Sequence, residues 1–180
     1  MLSGKNIVLG LTGCSTVCQA SELVSRLMKL HANVDVIMTK NATEFVAPLT
    51  FRNLTKNPVL LDLFANPVSW DRTHKPVAEK ADLLLIAPAS ANSIGKAANG
   101  IADDLLSVTI LSTEAPVFFA PHMNPKMYQK PSVQRNLQTL QADGYEIIRQ
   151  DRTMPNGTVI SSLLADTDVI IEAVKRRLIP

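Results

Sequence analysis

The segment Asp82–Ala87 (DLLLIA) would present aliphatic side chains on both faces of a strand, so neither face can be left to water. Three further segments read the same way: Lys5–Leu11 (KNIVLGL), Asn33–Met38 (NVDVIM) and Pro116–Ala120 (PVFFA). Helical patterns lie between them. In Ser15–Leu30 the apolar positions Ala20, Leu23, Val24, Leu27 and Leu30 recur at intervals of three and four. Further helices are expected over Ala42–Ala47, Pro76–Lys80, Asp103–Leu111, Ser132–Ala142 and Asp166–Arg177. Tyr145–Ile148 reads as one more strand, and Leu49–Ala65 as helical and extended pieces lying on the core. Buried strands alternating with helices predict an α/β fold, a Rossmann-like doubly wound parallel sheet covered by helices on both faces, in three layers. No repeat, linker or low-complexity tract divides the chain, so residues 1–180 are read as a single domain.

In such a sheet ligands bind beyond the carboxyl ends of the strands, where the topology reverses. Small and polar residues collect there: Thr12-Gly13, Thr39, Pro88–Asn92 and Pro121–Asn124. Gly10-Leu-Thr-Gly13 leads from a strand into a helix, whose first N–H groups suit a phosphate, with Cys14, Ser15 and Thr16 as added donors. A plain tight turn explains it equally well, because the pattern is not G-x-G-x-x-G. Ala87-Pro-Ala-Ser-Ala-Asn-Ser93 says more. A helix N-cap needs one Ser or Asn; here Ser90, Asn92 and Ser93 come together, among alanines small enough to admit a flat ring. Asn99–Asp104 makes a second turn and N-cap. In Pro121-His-Met-Asn-Pro-Lys-Met-Tyr128, Asn124 could cap the next helix or hold a carboxylate through its amide.

Several classes of function are disfavoured. The formal charge of +2, the lack of a Lys/Arg run and an aromatic content of 4% argue against nucleic acid as a partner. No stretch reaches membrane-spanning length, and the apolar run Ile7–Thr12 is too short for a signal-peptide core, so a cytoplasmic protein without membrane contact is expected. Cys14 and Cys18, four apart, read as free thiols, small residues buried on a helix face. His31, His74 and His122 lack metal-ligand spacing, and no Ser-His-Asp arrangement is evident. Taken alone, His74 between Trp70 and Pro76 reads more naturally as a surface residue than as a catalyst.

These pieces in this order resemble the homo-oligomeric flavin-containing cysteine decarboxylases. The likeness covers nearly the whole chain. It is carried by Val36–Val46 (VIMTKNATEFV), Pro48-Leu-Thr50, the Pro88–Ser93 block, Ala98–Leu106 (ANGIADDLL) and Pro121-x-Met-Asn-x-x-Met127. His74, eight residues before Asp82, stands where the family has its active-site histidine. The resemblance implies a flavodoxin-like fold and FMN as cofactor. It also implies self-association into trimers or dodecamers with flavin between subunits, and a small-molecule or peptide substrate ending in a cysteine carboxylate. By position, Gly13, Ser15, Thr16, Thr39, Ser90, Asn92 and Ser93 would hold the flavin. His74 would be the catalytic base, and Asn124 and Met127 would contact the substrate carboxylate. The chemistry this implies is coherent. A cysteine carboxylate has no sink for the electrons left by CO₂ loss; oxidising Cβ–S to a thioaldehyde, with hydride passing to flavin, creates one and yields an enethiolate.

The chain looks nearest to the phosphopantothenoylcysteine decarboxylases of bacterial coenzyme A biosynthesis, in which the flavin returns its hydride and a flap cysteine supplies a proton. Met154-Pro-Asn-Gly157 matches that flap, with Asn156 at the cysteine position and against the substrate. An amide has no proton to give near neutral pH, and no cysteine follows Cys18. Cys14, Cys18-Gln19, Lys75-Pro76 and His122 also differ from the family's usual residues. Family members that act on a peptide's terminal cysteine lack the flap cysteine too, and stop at the enethiol that becomes aminovinyl-cysteine. Three functions stay open: a decarboxylase releasing the enethiol, a complete phosphopantothenoylcysteine decarboxylase, and a non-catalytic flavin-binding or regulatory subunit.

Overall fold

The computed structural model describes residues 1–64, 74–155 and 157–179. In chain order the elements are β1 (Asn6–Leu11), a 3-10 turn over Ser15–Gln19, α1 (Ala20–Lys29), β2 (Asn33–Met38), α2 (Lys40–Thr43), α3 (Pro48–Thr55) and β3 (Val59–Leu60). They continue with α4 (His74–Lys80), β4 (Leu83–Ala89), α5 (Ala91–Ala98), α6 (Leu105–Ser112), β5 (Val117–Pro121), α7 (Pro125–Tyr128), α8 (Pro131–Ala142) and β6 (Glu146–Ile147). A small hairpin of β7 (Arg152–Thr153) and β8 (Val159–Ile160) precedes the closing α9 (Thr167–Leu178).

Six strands form one parallel sheet in the order β3-β2-β1-β4-β5-β6. This is the expected doubly wound, three-layered flavodoxin-like fold, with the strand order of Rossmann sheets. The burial pattern explains it. Leu83, Leu84, Leu85 and Ile86 all have 0% exposure, and alternate members enter different cores. Leu83 and Leu85 join Ile7, Leu9, Val34 and Val36 under α1, α3 and α9. Leu84 and Ile86 join Val8, Ile37, Val117 and Phe119 under α5, α6 and α8. Each such side chain contributes roughly 1.5–3 kcal/mol on burial, so exposing either face of β4 would be costly. Gly10 lets the second layer close in: a Cβ there would lie 2.6 Å from Leu106 Cδ1 on α6.

Some expected elements shift. The helix foreseen over Ser15–Leu30 opens with the 3-10 turn and becomes α-helical only at Ala20. The Ala42–Ala47 helix is instead Lys40–Thr43, because Thr39 is the N-cap and its Oγ1 accepts the Ala42 N–H at 3.3 Å. Pro48 then starts α3 in the first turn, where its missing N–H costs nothing. The mixed segment Leu49–Ala65 yields most of α3 and the two-residue β3, and Ala65 lies outside the described residues. The strands β7 and β8, on either side of the Met154–Gly157 segment matched to the flap, were not foreseen: two residues per strand leave no periodicity to detect. Among the described residues no helix is long and apolar enough to cross a membrane, and no three His, Cys, Asp or Glu side chains gather as metal ligands would.

Candidate active site

Strand order reverses between β1 and β4: the chain runs outward from β1 to β3, then crosses back to β4. The carboxyl ends of these two strands are tied by Thr12, 1% exposed. Its Oγ1 donates to the Pro88 carbonyl at 2.7 Å and accepts the Ser90 N–H at 2.9 Å. One hydroxyl thus joins the turn after β1 to the turn after β4. A register shift between Ile86 and Ala89 bends the end of β4 and lets Ser90 start α5. Ser90 Oγ caps that helix by accepting the Ser93 N–H at 3.2 Å, while Ser93 Oγ donates to the Ser90 carbonyl at 2.9 Å. Asn92, the next polar residue, is exposed.

A cleft of about 390 Å³ opens above this junction, within the size range of small-molecule sites. It brings together Gly13, Thr39, Ser90, Asn92, Ser93 and Met127 from the sequence-predicted set. Gly13 is required by space, since a Cβ would lie 2.5 Å from Asn41 Cβ at the start of α2. Ser15 and Thr16 stand outside the lining, on the 3-10 turn that follows Gly13. The Thr16 Oγ1 is buried and has no partner among the described residues. Asn124 N-caps α7, the short helix that carries Met127; its Oδ1 accepts the Lys126 N–H at 2.8 Å. His74 begins α4, but its side chain lies outside what is described, as does Asn156 between β7 and β8.

Sequence reasoning missed the charged corner of the cleft. Lys96 Nζ lies 2.6 Å from both Asp103 Oδ1 and Asp104 Oδ2, with its side chain 19% exposed. Asp104 is the N-cap expected at the end of the Asn99–Asp104 turn, and with Ser107 it forms a capping box at the start of α6. Burial works against the Asp104 charge, but bonds from Lys96 and Ser107 outweigh it and hold the carboxyl below its ordinary value. Burial likewise disfavours the Lys96 ammonium, and the two carboxylates more than compensate, leaving it firmly protonated. On the far side, burial holds the His122 imidazole below its ordinary value, and burial pushes the Cys14 thiol up.

A Rossmann-order sheet with a hydroxyl-lined crevice at its switch point is a nucleotide- or flavin-binding fold by class. The chain belongs to the flavoprotein family, whose model, described as Flavoprotein, matches residues 1–178. It is 39% identical over 177 residues to a probable phosphopantothenoylcysteine decarboxylase of Streptococcus mutans, covering 97% of this chain and 99% of that one. It is 47% identical over 145 residues to the coenzyme A biosynthesis bifunctional protein CoaBC of Bacillus subtilis, covering 81% of this chain. There it spans only 36%, about a third, of the bifunctional relative's length. Among solved structures, that of the FMN-dependent cysteine decarboxylase SpaF superposes with a TM-score of 0.87 at 29% identity, covering 99% of this chain and 98% of that one.

The residues present fit FMN. The orphaned Thr16 hydroxyl and the tight Gly13 turn next to it offer a phosphate cradle, and the neutral hydroxyls and amide of Ser90, Asn92 and Ser93 match a polar ring edge.

Proposed function

We propose that this chain is an FMN-dependent cysteine decarboxylase that acts on a small molecule or peptide ending in a cysteine carboxylate and releases the enethiol. The observation that carries the reading is the switch-point cleft itself, where Thr12, Ser90, Asn92 and Ser93 adjoin Met127 of the turn capped by Asn124. Bound FMN supplies the hydride acceptor that makes the cysteine Cβ–S bond an electron sink. Gly13, Ser15, Thr16 and Thr39 bind the phosphate end, and Ser90, Asn92 and Ser93 orient the ring. The cap occupies the Asn124 Oδ1, so its amide N–H₂ is the group left to hold the substrate carboxylate beside Met127. His74 is the base, and Asn156 contacts the substrate from the β7–β8 segment.

Release of the enethiol follows from the thiols. Both cysteines are at the turn after β1: Cys14 is buried and its Sγ donates to the His122 carbonyl at 3.4 Å, while Cys18, contrary to the expected burial, is exposed on the 3-10 turn and donates to the Ser15 carbonyl at 3.7 Å. None is on the hairpin, and Asn156 has no proton to offer near neutrality. A second reading, completion to the saturated thiol of coenzyme A biosynthesis, is favoured by the likeness across almost the whole Streptococcus mutans relative.

The test is a mass measurement. The yellow, FMN-loaded protein is incubated with phosphopantothenoylcysteine and, separately, with a peptide ending in cysteine. Loss of CO₂ and two hydrogens supports the enethiol reading; loss of CO₂ alone supports the second; protein unable to bind FMN overturns both. His74→Asn is expected to abolish CO₂ loss with flavin still bound, and unchanged turnover would remove His74 from the mechanism. The working form is a cytoplasmic trimer or dodecamer with flavin between subunits, which light scattering of the FMN-loaded protein checks.

A further inference from the structure

The β7–β8 hairpin is fastened to the sheet at its root. Met123 N–H donates to the Ser162 carbonyl at 3.0 Å, and Leu164 N–H donates to His122 Nδ1 at 3.1 Å. A main-chain bond and a side-chain bond therefore register residues 162–164 against the loop that leads to Asn124. His122 is well placed for this. Its own N–H donates to the Ala89 carbonyl at 3.0 Å, and its carbonyl accepts from Cys14 Sγ at 3.4 Å. His122 thus sits where the ends of β4 and β5 and the turn after β1 converge, with its imidazole on the hairpin root.

We propose that His122 is a positioning residue: its Nδ1 accepts the Leu164 N–H and locks the hairpin root onto the Pro121–Asn124 loop, which presents Asn124 and the Met127 turn to the cleft. The lock is a property of the free protein, and only its effect on turnover rests on the proposed reaction. Accepting at Nδ1 requires the neutral ring with its proton on Nε2. A protonated ring would turn a donor toward the Leu164 donor and undo the bond. Burial favours the neutral form. The titratable groups around the contact do not oppose it. Cys14, from the turn after β1, is a neutral thiol because burial raises its pKa. From the hairpin side, Arg152 donates to the Leu164 carbonyl at 3.1 Å and pairs with Asp166 at 2.5 Å, so its charge is already met. The end of β4 and Ser162 meet this junction through main-chain carbonyls.

Two substitutions separate the acceptor from the ring. Asn places an amide oxygen close to the Nδ1 position and does not titrate; Phe keeps a ring and has no acceptor. Deuterium exchange at the Leu164 amide is followed by NMR in the FMN-loaded protein between pH 5 and 8, corrected for intrinsic rate. In the native protein, protection is expected to fall at least tenfold as the pH drops below the free-imidazole value of 6.5 and through the lower folded value. His122→Asn should stay protected throughout, and His122→Phe should be unprotected throughout. The KM for a cysteine-terminated substrate should rise several-fold in the Phe variant and recover in the Asn variant, with FMN affinity unchanged. A Phe variant protected like the native protein, or an Asn variant as unprotected as the Phe variant, overturns the lock. If the Phe variant does not fold, the Asn variant still decides it: loss of Leu164 protection there overturns the lock. Exchange behaving as expected in a protein that never releases CO₂ upholds the lock and overturns the reaction.

Discussion

Replacing Thr12 with Val tests the junction on which the cleft is built. The two side chains have nearly the same shape, so packing is preserved while the hydroxyl is lost. Thr12 is 1% exposed, so water cannot replace its bonds to the Pro88 carbonyl and the Ser90 N–H. Leaving a buried donor or acceptor unsatisfied costs about 1–3 kcal/mol each. Two such groups, partly offset by the gained methyl, put the loss at about 3 kcal/mol. For a chain of this size that is a fall of about 6–12 °C in Tm. Thr12→Ser keeps both bonds and removes one methyl, which costs about 1 kcal/mol. Urea and thermal unfolding at fixed protein concentration measure both variants, and FMN titration reports the cleft. The expected order of stability is native, Ser, Val, with FMN affinity falling most in Val. If the Val variant is as stable as the Ser variant, the hydroxyl bridge does not hold the two turns together and the reasoning fails.

Gly13→Ala should weaken FMN binding at least tenfold, about 1.4 kcal/mol, because the new methyl displaces the Asn41 wall of the cleft; unaltered affinity in a fluorescence titration would remove Gly13 from the proposed phosphate end of the site. Asp104→Ala should destabilise the fold by about 1–2 kcal/mol through loss of the α6 cap, whereas Asp104→Asn keeps a capping oxygen and loses only the charge facing Lys96. The folded pKa of Asp104 is depressed, so the ionic contribution is complete above the unfolded value of 3.8 and vanishes as pH falls through the lower folded value. Native and Asp104→Asn stabilities should therefore differ near neutral pH and converge in strong acid; a gap that persists in acid would show that the pair is not responsible. His122, whose folded pKa is also depressed by burial, should likewise add stability above 6.5 that is lost on acidification, and His122→Asn should abolish that part of the pH dependence of urea unfolding.

The central strands were readable because their signal is local. A run such as Leu83–Ile86 needs both faces covered wherever it sits in the chain, and the helices that cover it announce themselves by periodicity. The polar residues after the strands were readable for a related reason: doubly wound sheets put ligands at the carboxyl ends. Gly13, Thr39, Ser90, Asn92, Ser93 and Met127 do meet in one cleft. Short elements gave no such signal. The 3-10 turn before α1, the two-residue β3 and the β7–β8 hairpin are too brief for any period to show.

The sequence by itself therefore determined the layered α/β architecture, the end of the sheet that carries the cleft, and the motifs that mark the family. Only the tertiary structure decided how those turns are joined. The Thr12 bridge spans 76 residues to Pro88, the His122 contact spans 42 to Leu164, and Lys96 meets two carboxylates across a turn. Periodicity records which face of its own element a residue occupies. It holds nothing about which distant donor or acceptor the packed sheet will bring within 3 Å, and that distance decides what each polar side chain in the cleft does.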